Sequence, residues 1–214
     1  MSTFQTPEPI TLHVEVLSAE VTVHASDRTD TVVDIRPADA SKKGDIRAAE
    51  QTRVDFTAGV LTVTTPKDWR THTPFGGNPT ITVTIEVPTG SRVRGTAGVG
   101  RIAATGELGR CDLEVAAGDI TVERPADSVT AKVAKGDIRI GAAIRGELRL
   151  ETSMGELEIG ISPGSAVSME VNALYGSVHN QMGPADPPLS GAETVRVYAR
   201  NSYGNIAIRH AAAA

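Results

Sequence analysis

Apolar and polar residues alternate along most of this chain, and glycines cut the alternation into short runs. A period of two puts successive side chains on opposite faces of a strand, so the pattern predicts many short β-strands, each with one buried face. One phrase recurs: AGVGRIAA, VAAGDITV, VAKGDIRI, TSMGELEI, ALYGSVHN and NSYGNIAI each join two alternating runs through a central glycine. The pivots are Gly100, Gly118, Gly136, Gly155, Gly176 and Gly204, spaced by 18, 18, 19, 21 and 28 residues. Five apolar columns emerge when the copies are aligned on these glycines. The column seven before the pivot reads Val93, Cys111, Val129, Leu148, Met169 and Val197, and the column two after it reads Ile102, Ile120, Ile138, Leu157, Val178 and Ile206. The inward parity changes across the glycine, which an undistorted strand cannot do without turning its apolar face outward. The chain must therefore turn at each pivot, where glycine reaches positive φ without a Cβ clash.

The register extends toward the N-terminus. Around Ala19, Leu12, Val14 and Val16 precede and Val21 and Val23 follow at matching offsets; around Gly59, Val54, Phe56, Leu61 and Val63 do the same. This makes eight two-strand units, with further strands expected at TVVDI (31–35) and ITVTIEVP (81–88) completing wider early coils. Identical residue types at identical offsets are what stacking of neighbouring repeats rewards. The expected fold is all-β, a single-stranded parallel β-solenoid forming a rod roughly 35–40 Å long. An antiparallel β-sandwich of hairpins is the alternative, because V-A-A-G-D-I also suits a tight turn.

The whole chain, 1–214, reads as one domain: irregular coils over about 1–90, regular repeats over about 91–179 and 194–209, and a Pro-rich insertion at 180–193. Residues 37–51 suit a short helix with Ser41 as cap, and 66–79 is a loop by its proline and glycine content. Asn201 and Ala199, at core positions of the last copy in sequence, read as a terminal cap.

The segment Val21–Ile35, VTVHASDRTDTVVDI, with Ala25, Asp27, Arg28 and Thr31-Val32-Val33, is similar to the opening of the bacterial "putative adhesin" family of repetitive β domains. The likeness continues through AAEQTRV (48–54), LTVTTPK (61–67), VPTGSRV (87–93), the GDI copies and the closing NSYGNIAI. The resemblance implies an all-β repetitive fold and carries over no catalytic residues.

Composition narrows the function classes. Only 3% of the 214 residues are aromatic, against 40% hydrophobic and 22% charged, so a thin Val/Ile/Leu/Ala core is expected in a soluble chain. A net charge of −5 argues against a nucleic-acid partner, and no run approaches the length of a membrane span. The start, MSTFQTPEPITLHVEV, has neither a basic n-region nor an unbroken apolar stretch, and the single Cys111 cannot form an internal disulfide; a cytoplasmic location is expected.

Catalytic motifs are weak. Gly98-Val-Gly100-Arg-Ile-Ala103 imitates a dinucleotide fingerprint with Asp119 downstream, but Gly100 belongs to the pivot series and no helical pattern follows. Asp119, Asp137 and Glu156 follow successive pivots and would stack as a carboxylate column that could attract a hard cation, but Arg101, Ser177 and Asn205 interrupt it and a solvated turn is the plainer explanation. The five histidines show no metal-binding spacing, and Cys111 falls in an apolar column. Lys67, Trp69, Arg70, His72 and Phe75 form the best candidate recognition loop; covering an apolar flank is the competing role. The glycines Gly59, Gly100, Gly118, Gly136, Gly155, Gly176 and Gly204 are assigned structural turns. These observations favour a non-catalytic scaffold or protein-interaction module, without cofactor or metal, acting as a monomer or small closed oligomer. A carbohydrate-binding or carbohydrate-processing solenoid and a self-associating structural protein are the rivals.

Overall fold

A computed structural model describes residues 1–66, 78–182 and 193–211. The strands are β1 (Ser2–Gln5), β2 (Thr11–Ser26), β3 (Asp30–Pro37), β4 (Arg53–Thr57), β5 (Val60–Thr64) and β6 (Ile81–Pro88), with α1 (Lys43–Gln51) between β3 and β4. They continue with β7 (Arg92–Leu108), β8 (Cys111–Pro125), β9 (Val129–Lys135), β10 (Ile138–Ala143), β11 (Gly146–Met154) and β12 (Leu157–Ile161). The last are β13 (Ala166–Tyr175), β14 (Val178–Asn180), β15 (Thr194–Tyr203) and β16 (Ile206–His210). The fold is all-β, and the 16 strands among the described residues are hydrogen-bonded into one sheet that does not close into a barrel.

The columns read from the sequence are rungs of a parallel ladder. Val93 pairs with Cys111, Cys111 with Val129 and Val129 with Leu148, while Ile102 pairs with Ile120, Ile120 with Ile138 and Ile138 with Leu157. Each layer has one arm before its pivot and one after it. Leu113, Val115, Ile120 and Val122 are all buried; burying such aliphatic side chains in every layer is the main stabilising contribution.

The corner does not always interrupt the strand. In β7 and β8 the ladder runs through it, with Val99 paired to Ala117, Gly100 to Gly118 and Arg101 to Asp119. Inward parity changes because the pivot itself has positive φ, +134° at Gly118. The chain is thus redirected without losing its ladder.

Three expectations are corrected. Gly59 is not a pivot: with Ala58 (φ 50°) and Gly59 (φ 77°) it forms the two-residue turn of the β4–β5 hairpin, where Val54 faces Val63 and Phe56 faces Leu61. Leu61 and Val63 extend the columns of Leu12 and Val14, and the second arm of that layer comes from β6, where Val83 pairs with Val21. The 31–35 strand, within β3, lies antiparallel to β6 and outside it, and β1 lies antiparallel to β3.

Second, the last two layers stack in reverse of sequence order. β11 pairs with β15 and β15 with β13; β12 pairs with β16 and β16 with β14. The layer of Gly204 is therefore inserted beneath the layer of Gly176. Apolar content explains the exchange: the inserted layer buries Val197, Ala199, Ile206 and Ile208, whereas the equivalent positions of the outer layer are Met169, Val171, Val178 and Asn180. Asn201 is accordingly no cap but an internal residue, its Nδ2 donating to the Gly155 carbonyl at 2.8 Å. Leu150 lies between Ala131 and Ala199, not next to Val171.

Third, Ser41 does not cap the helix. The N-cap is Lys42, without a side-chain cap bond, and Ser41 instead bonds Asp39. Buried Asp45 anchors α1, its carboxylate accepting from the backbone N–H groups of Asp39 and Thr80 at 3.2 and 3.0 Å.

Candidate interaction surface

Lys67, Trp69, Arg70, His72 and Phe75 lie outside the described residues. The chain on either side of them, at Thr65, Pro66, Asn78 and Pro79, joins Leu17, Ala48 and Val99 in lining a concavity of about 210 Å³.

The carboxylate column is taken up by the ladder. Asp119 accepts the backbone N–H of Asp137 at 3.0 Å, and Asp137 accepts that of Glu156 at 2.9 Å. Asn205 does the same for Ser177 at 3.0 Å, following the exchanged order of the last layers. Arg139 spans Asp137 at 2.7 Å and Glu158 at 3.5 Å, and Arg101 lies 3.7 Å from Asp119. Asp119, Asp137 and Asn205, each directly after its pivot, thus supply acceptors that backbone N–H groups need at these corners. No group of three or more metal-ligating side chains is assembled among the described residues.

Cys111 is fully buried, and burial, reinforced by the negative charges of Asp112 and Asp127, pushes its thiol up to about 12. The thiolate is the nucleophile, so this group is held in its inert form. Thiol-reagent labelling should leave the native chain unmodified and add one equivalent after denaturation. Because the folded pKa is raised, the contribution of this group to stability is constant below its ordinary value of 9.0 and declines as pH rises from there toward about 12. Denaturation midpoints measured across that interval check the sign.

Exposed apolar side chains concentrate elsewhere, on the outer corner at the far end of the stack. The position before each pivot points outward, and in the last three layers it holds Met154, Tyr203 and Tyr175, paired rung to rung. They are 52%, 54% and 61% exposed, and the tyrosine rings stack with centroids 4.9 Å apart and planes within 12°. Leu174 (67% exposed) and Val178 (45%) extend the ridge onto the terminal layer, where Met169 is 40% exposed. Sequence reasoning concentrated on the inward columns and on Trp69 and Phe75, and so missed this ridge. The signal was present in the column before the pivot, which runs Val99, Ala117, Lys135, Met154, Tyr175, Tyr203 and is the only repeat position holding two tyrosines.

No family model and no curated protein matches this chain. Several solved structures similar to it carry adhesin names. One is a "putative cell adhesion protein" from Clostridium sporogenes, at 11% identity over 98% of both chains with a TM-score of 0.45. Another is a "putative adhesin" from Bacteroides fragilis, at 10% identity over 97% of this chain and 95% of the other, TM-score 0.49. A third is named a "putative lipid binding protein", from Parabacteroides distasonis, at 11% identity over 99% of this chain and 96% of the other, TM-score 0.27. Among the described residues, no helix is long and apolar enough to cross a membrane.

Proposed function

We propose that this chain is a non-catalytic interaction module: a parallel β-solenoid that acts as a stiff rod and presents the Met154–Tyr203–Tyr175 ridge and the adjoining terminal layer to a protein partner. The observation that carries the reading is the placement of exposed large apolar side chains. A stacked tyrosine pair with Met154, Leu174 and Val178 at one end of the stack, where most of the exposed large apolar side chains among the described residues gather, has the aromatic-rich composition of an interface centre. The solenoid reading rests on parallel rungs that keep register through the corner glycines in layer after layer. Cytoplasmic location and the absence of catalysis belong to the same proposal.

Capture from lysate of the native cell, comparing the intact chain with Met154→Ser and Tyr203→Ser variants, tests it. Both side chains are more than half exposed, so neither change should lower the denaturation midpoint appreciably. The expected result is a defined set of proteins retained by the intact chain and lost by both variants. Retention unaffected by either change overturns the assignment of the ridge. The stacked tyrosines favour one second reading, a platform for sugar rings; tyrosine-dependent binding on a glycan array, with no protein retained, would select it.

A further inference from the structure

Among the described residues, the terminal layer leaves one strand edge without a partner strand. β13 spans 10 residues and, among the described strands, pairs only with β15. Ala166 donates its N–H to Glu193 of the neighbouring layer at 2.8 Å. Main-chain direction alternates along a strand, so Ser168, Glu170 and Asn172 also point their N–H and C=O groups toward β15. Val167, Met169, Val171 and Ala173 then point theirs to the open side. None of these four is charged and none is proline, so these positions carry neither of two usual devices that block pairing.

The opposite end is different. Its outermost strands, β1 and β4, are only 4 and 5 residues long, both are antiparallel additions, and β4 exposes Arg53 and Asp55. One open end and one blunted end favour pairing of like ends, an isologous contact that closes after two copies.

We infer that β13 pairs antiparallel with β13 of a second copy, about a two-fold axis at Val171, to form an end-to-end dimer. This rests on the reading of the terminal layer as an interaction surface and adds a second copy of the chain as the occupant of its strand edge, beside the ridge and distinct from the ridge's partner. The register follows from the side chains. Centred on Val171, the pairing sets Met169 against Ala173 of the second copy on the core face and Glu170 against Asn172 on the outer face. Centred one residue earlier it would place Glu170 against Glu170, a like-charge pair. Centred two residues earlier it would shorten the overlap to Ala166–Asn172, two residues less than the Val167–Tyr175 overlap of the Val171 register, because the strand begins at Ala166. The Val171 register keeps the apolar column continuous across the junction and leaves the carboxylate facing an amide donor.

Sedimentation of the full chain, alongside the variants Asn172→Lys and Asn172→Glu, tests the inference. Within one chain Asn172 sits beside Arg200, so Glu there is favourable for the isolated fold and Lys is not. Across the two-fold axis the signs reverse, because each substituted residue faces Glu170 of the other copy. The expected result is a monomer–dimer equilibrium with no larger species. Asn172→Lys should tighten it and Asn172→Glu weaken it, each by about three- to tenfold for two symmetry-related pairs. Met169→Lys should disperse the dimer. A chain that stays monomeric to about 1 mM, variants shifting in the same direction, or filaments would each overturn the inference. Tyr203 lies one layer back from the edge, so Tyr203→Ser should leave the equilibrium unchanged. A dimer that persists while partner capture fails, or the converse, tells failure of this inference from failure of the interaction reading.

Discussion

Gly118→Ala should lower stability by about 4 kcal/mol or more, in the range reserved for a few named defects. Two independent physical terms converge there. The backbone sits at φ +134°, a region that side chains with a Cβ rarely adopt. An added Cβ would also lie 1.7 Å from the carbonyl oxygen of Gly100 and 2.7 Å from its carbonyl carbon. Those are backbone atoms of the next layer, so relief requires separating rungs rather than rotating a side chain. Gly164 provides the control. It has φ +88° but nothing within 4 Å of an added Cβ, so Gly164→Ala isolates the conformational term at about 1–2 kcal/mol. Urea denaturation of the two variants measures the difference. Equal losses would mean that the corner glycines are needed for their dihedrals alone and that the layers are not in close contact at the pivot.

The repeat phrase exposed the part of this architecture that depends on nearest neighbours. Val93, Cys111, Val129 and Leu148 share a column in the sequence alignment and a rung series in the structure, because each needs the same apolar surroundings at the same offset. Gly59 shows where local pattern fails. A two-residue hairpin and a corner between stacked parallel arms both want a glycine between alternating runs, and only the partner strand, antiparallel β4 rather than a parallel layer, separates them. The order of the last two layers was illegible for a related reason. Columns specify which offset pairs with which, but the layers of Gly176 and Gly204 offer matching offsets; the layer placed inside is the one whose four core positions, Val197, Ala199, Ile206 and Ile208, are all apolar, whereas the outer layer ends its column in Asn180. Asn201 gives the clearest local trace of that choice. Read alone it is a polar residue in a core column; in the structure it hydrogen-bonds the Gly155 carbonyl of the layer beneath, as Thr152 does for Gly136 at 2.9 Å. The ridge was legible in principle, since the outward position before each pivot recurs at a fixed offset and holds Met154, Tyr175 and Tyr203 in the last three copies.

Leu150→Ala should cost about 3–5 kcal/mol, the upper part of the range for buried leucines. Leu150 is 2% exposed, and its neighbours along the column are Ala131 and Ala199, which are too short to close around the space left behind. Glu151, one residue along, faces outward and lies 3.9 Å from Lys132, both side chains more than half exposed; Glu151→Ala should stay within about 0.5 kcal/mol. The same site also tests the exchanged layers. If β15 lies directly on β11, enlarging Ala199 to Leu should recover part of the loss from Leu150→Ala, with an interaction energy of about 0.5–3 kcal/mol in a double-mutant cycle. Val171 is then two layers from Leu150, roughly 9–10 Å away at the usual strand spacing. Changes at Val171 and Leu150 should add to within about 0.5 kcal/mol. Strict sequence order would reverse these couplings, placing Val171 in contact with Leu150 and Ala199 one layer further out. Strong coupling to Val171 with none to Ala199 would therefore reject the inserted C-terminal layer, and with it the open β13 edge.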